Sequence, residues 1–115
     1  MNMGKKAIGF SVSATTRTKR SSYVEGGLTK EQALARAMLL ATTSKTAEID
    51  REYEITDRYG EVDYDSKPFG IVKKVKRKSG YAYTLHTFDA YGFESWTYDI
   101  VLDKRTHKFN LKNRR

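Results

Sequence analysis

The chain contains no cysteine, a single proline and no long apolar run. Without cysteine there is no disulfide framework, no thiolate nucleophile and no zinc–thiolate cluster. No apolar run approaches the roughly 18 residues that a membrane-spanning helix needs. The N-terminal segment MNMGKKAIGF also lacks the apolar stretch of about 7 to 15 residues that marks a secretion signal. These absences predict a soluble, cytoplasmic protein with no membrane partner.

The charge of the chain is strongly positive and unevenly distributed. The formal net charge is +8, and it combines basic segments at 1–28, 67–80 and 101–115 with an acidic segment at 46–66. A basic protein of this size attracts polyanions through a field that does not depend on sequence, so nucleic acid is the leading partner class. The alternative is that the excess of Lys and Arg serves solubility alone.

The hydrophobic pattern predicts one α+β domain over residues 1–115. Alternating apolar residues in KAIGFSVSA indicate a first strand, and residues 14–28, which have no apolar period, are predicted to form a flexible basic loop. Thr29 and Gln32 form a capping-box pattern that opens a helix over about residues 30–44. From Ala47 the apolar period becomes two, with acidic residues on the alternate positions.

Four further strands are predicted at 69–77, 81–88, 94–103 and 107–112. The predicted fold is therefore a single curved antiparallel β-sheet of about five or six strands with a C-terminal meander. One α-helix packs on one face of this sheet, and the element order is β-α-β-β-β-β-β. The large aromatic residues on the helix-covered face are predicted to belong to the core, and they are Tyr81, Tyr83, Trp96 and Tyr98.

Turn chemistry gives a predicted register for the hairpin IVKKVKRKSGYAYTLHTF. A three-residue loop at residues 78–80, with glycine in the bulge position, places Arg77 opposite Tyr81. Lys74 and Lys76 then point away from the aromatic side chains. If the acidic strand lies beside this one, its carboxylates form a charged ladder with the lysines and neutralise much of their field. A four-residue loop at residues 90–93 places Leu85 opposite Tyr98 in the next hairpin.

The remaining positive charge lies in the loop 14–28 and near the C-terminus, including a basic tail at 112–115. The loop interleaves its cations with hydroxyl residues, which also donate to phosphates, and Tyr23 is placed to stack on a base. Lys73 falls among apolar neighbours and must extend past them or contact a partner. The predicted nucleic-acid contacts are Arg17, Lys19, Arg20, Tyr23, Lys73, Lys104, Arg105, Lys108, Lys112, Arg114 and Arg115.

Catalysis finds no support in the sequence. His86 and His107 show no spacing typical of a metal site or an acid/base pair, and no cofactor motif is present. We therefore predict no enzyme activity, no catalytic residue, no metal and no cofactor.

The leading hypothesis is a small nucleic-acid-binding accessory protein that contacts phosphates with low base specificity. The alternative is a protein-binding inhibitor or adaptor, of the kind that phages and mobile elements carry, which acts on a protein partner or a nucleic-acid-processing complex. An exposed sheet edge also makes homodimer formation a hypothesis.

Overall fold

The protein forms one curved, seven-stranded antiparallel sheet with a single helix, in a computed structural model that describes residues 4–15, 21–44 and 46–115. The strand order is β2-β1-β3-β4-β5-β6-β7. This confirms the predicted α+β fold, with more strands than expected. The elements are β1 (Gly4–Thr15), β2 (Ser21–Leu28), α1 (Lys30–Ser44), β3 (Thr46–Thr56), β4 (Val62–Arg77), β5 (Gly80–Phe88), β6 (Glu94–Asp103) and β7 (Lys108–Lys112).

Strand β2 corrects the predicted loop 14–28. Residues 21–28 form an edge strand in which Tyr23 lies opposite Ser13, and residues 14 and 15 belong to β1. Its sequence, SSYVEGGL, shows no apolar alternation, because Tyr23 and Val24 are adjacent and two glycines follow Glu25, so the sequence pattern gave no signal of a strand. Residues 16–20 lie outside the described part of the chain.

The capping box predicted for the helix is present. The N–H of Thr29 donates to Gln32 Oε1 at 3.0 Å, and the N–H of Gln32 donates to Thr29 Oγ1 at 3.1 Å. These two bonds satisfy free N–H groups at the start of α1, which covers the predicted residues. No helix in the described ranges has the length and apolar content needed to cross a membrane.

The core lies between α1 and one face of the sheet, which we call the helix face. Its largest fully buried side chains are one from each central strand, Val12, Ile49, Val72 and Leu85. The helix presents mainly alanines and Leu34 to them, and small side chains let its backbone approach the sheet closely. We call the opposite face of the sheet the open face.

The register of the β4–β5 hairpin differs from the prediction. Arg77 pairs directly with Gly80 through a two-residue turn, so Lys76 lies opposite Tyr81 and Lys74 opposite Tyr83. The predicted separation of basic from aromatic residues is therefore wrong. Packing decides the register, because this one places the fully buried Val72 and Leu85 opposite each other on the helix face.

The predicted charged ladder between β3 and β4 is also wrong. The two strands are antiparallel neighbours as expected, but Glu48 lies opposite Ile71 and Asp50 lies opposite Pro68, with a register shift between the two pairs. The acidic residues of β3 therefore occupy the open face, while Lys74 and Lys76 share the helix face with Val72. The fold does not use the acidic strand to neutralise these two lysines.

The β5–β6 register confirms the predicted pairing of Leu85 with Tyr98. The core assignment of the aromatic residues holds only in part. Tyr83 and Tyr98 pack against the core, whereas Tyr81 is 64% exposed and Trp96 is 45% exposed. The helix packs mainly against β1, β3 and β4, so it leaves part of the helix face on β5 and β6 uncovered.

Candidate nucleic-acid interface

The tip of the β4–β5 hairpin carries a cluster of positive charge that we call the basic hairpin. Two of its lysines lie on the same face as the exposed ring of Tyr81. The ammonium of Lys74 lies 4.1 Å from the centroid of that ring and donates to the carbonyl of Thr42, at the end of α1, at 3.4 Å. The cations of the basic hairpin are Lys74, Lys76, Arg77 and Lys78.

The positive field of the basic hairpin is not neutralised by neighbouring acids. Within the described residues, none of its four cations forms an ion pair. Lys76, Arg77 and Lys78 are exposed. A cluster of exposed cations beside an exposed aromatic ring provides charge for phosphates and a surface on which a base can stack.

The β6–β7 turn lies at the same end of the sheet, because alternate turns of an antiparallel meander share an end. Lys104 and Arg105 are exposed there. The carboxylate of Asp103 accepts a hydrogen bond from the N–H of Arg105 at 2.8 Å, and this bond holds the turn. Lys108 begins β7, with its ammonium 3.9 Å from the carboxylate of Glu31.

The opposite end of the sheet is acidic and is built from two turns with related sequences, DRYGE at 57–61 and DAYGF at 89–93. In each turn the aspartate Oδ1 accepts two backbone N–H groups, at distances of 2.8 to 3.0 Å. The first turn leads into a β4 segment that carries further acids. The acids of the two turns and of this β4 segment therefore lie at the end of the sheet opposite the basic hairpin.

Four of the predicted contacts fall in or beside the first hairpin. Arg17, Lys19 and Arg20 lie outside the described residues. Tyr23 lies in β2 opposite Ser13, and its side chain is outside the described part of the chain. The structure therefore places the backbone of one of the four and brings none of their side chains to the basic hairpin.

Lys73 lies in the middle of β4, opposite Thr84 of β5. Its ammonium is 3.8 Å from the carboxylate of Glu94, and both side chains are partly exposed. Alternation along β4 places Lys73 on the open face, away from Lys74. It therefore contributes to a different surface from the two lysines of the helix face.

The predicted tail 112–115 runs along β6 rather than away from the sheet. Lys112 ends β7 opposite Asp99, and the guanidinium of Arg114 lies 4.3 Å from the centroid of the Trp96 ring. Arg115 exchanges two backbone hydrogen bonds with Thr97, at 2.8 and 2.9 Å. All three cations, Lys112, Arg114 and Arg115, are exposed.

Arg115 is bound within the fold by Asp99. Its guanidinium donates to both carboxylate oxygens, at 3.0 and 3.3 Å, and Asn113 donates to the same carboxylate at 2.9 Å. The hydrogen bonds from Arg115 and Asn113 lower the pKa of Asp99. The charge of Arg115 is balanced by this bidentate pair, which makes it a weaker candidate for phosphate binding than Lys112 and Arg114.

The open face carries a polar network around His86. Its ring nitrogens lie 3.0 Å from the hydroxyl of Thr84 and 3.2 Å from that of Thr97. Burial, followed by the charge of Lys73, lowers the pKa of His86. Across the described ranges, no three His, Asp or Glu side chains are grouped so that they could hold a metal ion.

The basic hairpin was not predicted, because a three-residue turn places these lysines in a neutralised ladder. The available signal was the alternation itself, since KVK and YAY flank a short turn. A two-residue turn brings these lysines and tyrosines to one face, whereas a three-residue turn separates them.

Comparison with protein-family models, curated proteins and solved structures gives no match to this chain. The fold and the charge distribution of the described residues are therefore the basis for a functional proposal. Of the surfaces described, the basic hairpin combines the most cations with an exposed aromatic ring.

Proposed function

We propose that the protein is a non-enzymatic nucleic-acid-binding accessory protein that contacts phosphates with low base specificity. The observation that supports this most directly is the basic hairpin, where four cations without ion pairs lie beside the exposed Tyr81. Phosphate contacts by Lys and Arg supply affinity without reading sequence, and aromatic stacking accepts every base.

The exposed cations of the β6–β7 turn extend this surface at the same end of the sheet, and Arg17, Lys19 and Arg20 remain predicted contacts on the strength of the sequence. The acidic turns at the opposite end favour one orientation on a duplex, because they are repelled from its phosphates. The proposed complex with a duplex therefore has the basic end of the sheet against the phosphates.

The test is a titration of the protein with labelled single- and double-stranded DNA and RNA across a range of salt concentrations. For each phosphate contact, the logarithm of affinity falls with that of salt by about 0.7 for single strands and about 0.9 for duplexes. The triple variant Lys76→Gln, Arg77→Gln, Lys78→Gln is expected to reduce this slope by about 2 to 3.

A matched control removes the same charge elsewhere. The variant Lys6→Gln, Lys30→Gln, Arg58→Gln has the same net charge, and its substitutions lie outside the basic hairpin. We expect this control to change the slope much less. Equal effects of the two triple variants would show that the hairpin is not the contact surface, and no binding by the wild-type protein would refute the proposed function.

The predicted loop is tested separately with Arg17→Gln, Lys19→Gln, Arg20→Gln. A weaker affinity and a smaller salt slope than in the wild type would support the loop as a second contact. Unchanged affinity and slope would remove these three residues from the proposed interface.

A second candidate function is the protein-binding inhibitor or adaptor. The observation that favours it is the acidic end, where large aromatic side chains are exposed beside carboxylates, as at Tyr59, Tyr64, Tyr91 and Phe93. Aromatic residues in such a patch are typical of protein interfaces. This function predicts that a basic protein partner is captured by the wild type and lost with Tyr91→Ser and Phe93→Ser. Light scattering of the free protein tests the homodimer hypothesis.

A further inference from the structure

A cavity of about 580 Å³ lies in the notch where β5 ends and β3 and β4 continue. Strand β5 ends at Phe88, and the loop that follows it forms one wall of the cavity. The other wall comes from β3 and β4, through Arg51, Tyr53, Lys67 and Phe69. This volume is within the range of about 300 to 1,000 Å³ that is usual for small-molecule sites.

The guanidinium of Arg51 is held by aromatic rings. It lies 5.3 Å from the ring centroid of Phe10 and 5.4 Å from that of Phe69, and these two rings pack edge to face at 5.2 Å. Arg51 forms no ion pair with any described residue. Its orientation is therefore fixed by packing, while its charge remains available to an anion.

Lys67 adds to the positive charge of the cavity, and Lys5 lies close to Lys67 without lining the cavity. Lys67 lies opposite Arg51 across the β3–β4 pair, and the Lys5 ammonium lies 4.3 Å from the centroid of the Tyr53 ring. The neighbouring Lys67 side chain lowers the pKa of Lys5, because two positive charges lie close together, while the charge of Asp65 acts in the opposite direction. An anion bound between these cations would relieve their repulsion.

The two nearby carboxylates are engaged in local backbone hydrogen bonds. Asp89 lines the cavity, and its Oδ1 accepts the N–H groups of Tyr91 and Phe93. Asp65 accepts the N–H of Ser66 at 2.9 Å. Neither carboxylate forms an ion pair with Arg51 or Lys67 in the described structure. Positive charge therefore predominates on the β3–β4 wall.

We propose that this cavity binds a nucleoside monophosphate unit, with the phosphate on Arg51 and Lys67 and the base against the aromatic side chains that line the cavity, Tyr53, Phe69 and Phe88. Arginine suits phosphate because its planar fork donates two parallel hydrogen bonds. The unit is either a free nucleotide or one nucleotide of a single strand, and in the second case the inference rests on the proposed function. A paired base is stacked inside a duplex and cannot enter the cavity.

The first experiment titrates the full chain with AMP by isothermal titration calorimetry and follows the backbone amide signals by NMR. We expect saturable binding with shifts at Lys67 and Gly92, which line the cavity. Lys67→Gln should weaken binding about tenfold, the loss expected for a charge-assisted hydrogen bond. Arg58→Gln is the matched control, because it removes one exposed positive charge from the adjacent turn without lining the cavity.

The second experiment separates recognition of the base from recognition of the phosphate. Ribose 5-phosphate is expected to bind about tenfold more weakly than AMP, because it lacks the base that stacks. Phe88→Leu should reduce the difference in affinity between AMP and ribose 5-phosphate. This substitution leaves the cations of the cavity unchanged, so phosphate binding should be retained. Equal affinities for ribose 5-phosphate and AMP would overturn the nucleotide assignment.

The third experiment identifies the source of the nucleotide and separates this inference from the proposed function. Tight binding of a single-stranded oligonucleotide, weakened by Lys67→Gln but not by Arg58→Gln, indicates a unit of a strand, whereas binding of AMP alone indicates a free nucleotide. The basic-hairpin triple variant should leave AMP affinity unchanged, so retained AMP binding with no polynucleotide binding would refute only the proposed function. No AMP binding, together with equal effects of Lys67→Gln and Arg58→Gln on single strands, would refute the cavity.

Discussion

Leu85 and Thr84 are adjacent in β5 and almost equally inaccessible, with 0% and 3% exposure, yet they lie on opposite faces of the sheet. Leu85 lies among the apolar side chains beneath the helix. Thr84 lies between Lys73 and Asp99 on the open face, and its hydroxyl contacts His86. The helix face is therefore stabilised by apolar burial, and the open face by hydrogen bonds between polar side chains.

The two faces also differ in the charge that they carry. The acidic residues of β3 lie on the open face, whereas the helix face carries Arg51 and Lys74 beside aromatic rings, with Lys67 opposite Arg51. Positive charge and aromatic side chains therefore lie together on the face that also carries the core. Variants on the two faces should differ in the size of their effects, and variants of two carboxylates on the open face should differ in sign.

The largest difference is expected for Leu85→Ala on the helix face. Truncation of this fully buried side chain leaves a cavity and should lower the free energy of unfolding by about 2 to 5 kcal/mol. Urea denaturation followed by circular dichroism measures this loss. A loss below about 1 kcal/mol would show that the helix face is not tightly packed at this position.

Thr84→Val tests the neighbouring position on the open face. The substitution keeps the size of the side chain but removes the hydroxyl that contacts His86 at 3.0 Å, so a loss of about 1 kcal/mol is expected. Thr84→Ser retains the hydroxyl and serves as the control in the same denaturation experiment. If the valine variant is as stable as the wild type, hydrogen bonding does not stabilise this face.

Asp99→Asn should destabilise the protein by about 0.5 to 1 kcal/mol at neutral pH, because it breaks the bidentate pair with Arg115. The pKa of Asp99 is lowered in the fold, so its contribution is present above the unfolded pKa and is lost as the pH falls through the folded pKa. Thermal melts from neutral to acidic pH should therefore show that the difference in stability between the wild type and Asp99→Asn disappears as the pH falls. An equal difference at every pH would contradict this account.

Asp50→Asn is expected to have the smallest effect and the opposite sign. Burial, followed by the charge of Glu52, raises the pKa of Asp50. A raised pKa gives a contribution to stability that is present below the unfolded pKa and is lost as the pH rises through the folded pKa. The asparagine variant should therefore be more stable than the wild type at neutral pH, by about 0.5 kcal/mol. Asp63→Asn, at an exposed position, is the control in the same melts.

Local sequence signals predicted the parts of the fold that depend on neighbouring residues. Thr29 and Gln32 fixed the start of the helix because their bonds span only three positions. The pairing of Leu85 with Tyr98 followed from the alternation of apolar residues on both sides of one loop. These features are set by short-range geometry, which a single sequence displays.

Register and cross-strand neighbours were not predictable in the same way. The observed turn at Lys78 and Ser79 is one residue shorter than the predicted turn. Because of that one residue, Lys74 and Lys76 lie on the same face as the tyrosines instead of the opposite face. The cavity is lined by Arg51 of β3, Lys67 of β4 and the loop that follows β5, so no contiguous motif indicates it. The predicted loop cations were identified from charge alone, which carries no information on geometry.

The strand order also has a consequence for the rate of folding. Every hydrogen-bonded neighbour in the sheet is a sequence neighbour except the pair β1 and β3, which are separated along the chain by β2 and α1. Hairpins form within microseconds, whereas a pair that closes a longer loop must first overcome a larger entropic barrier. We therefore expect the pairing of β1 with β3 to be the slowest step in the folding of this domain.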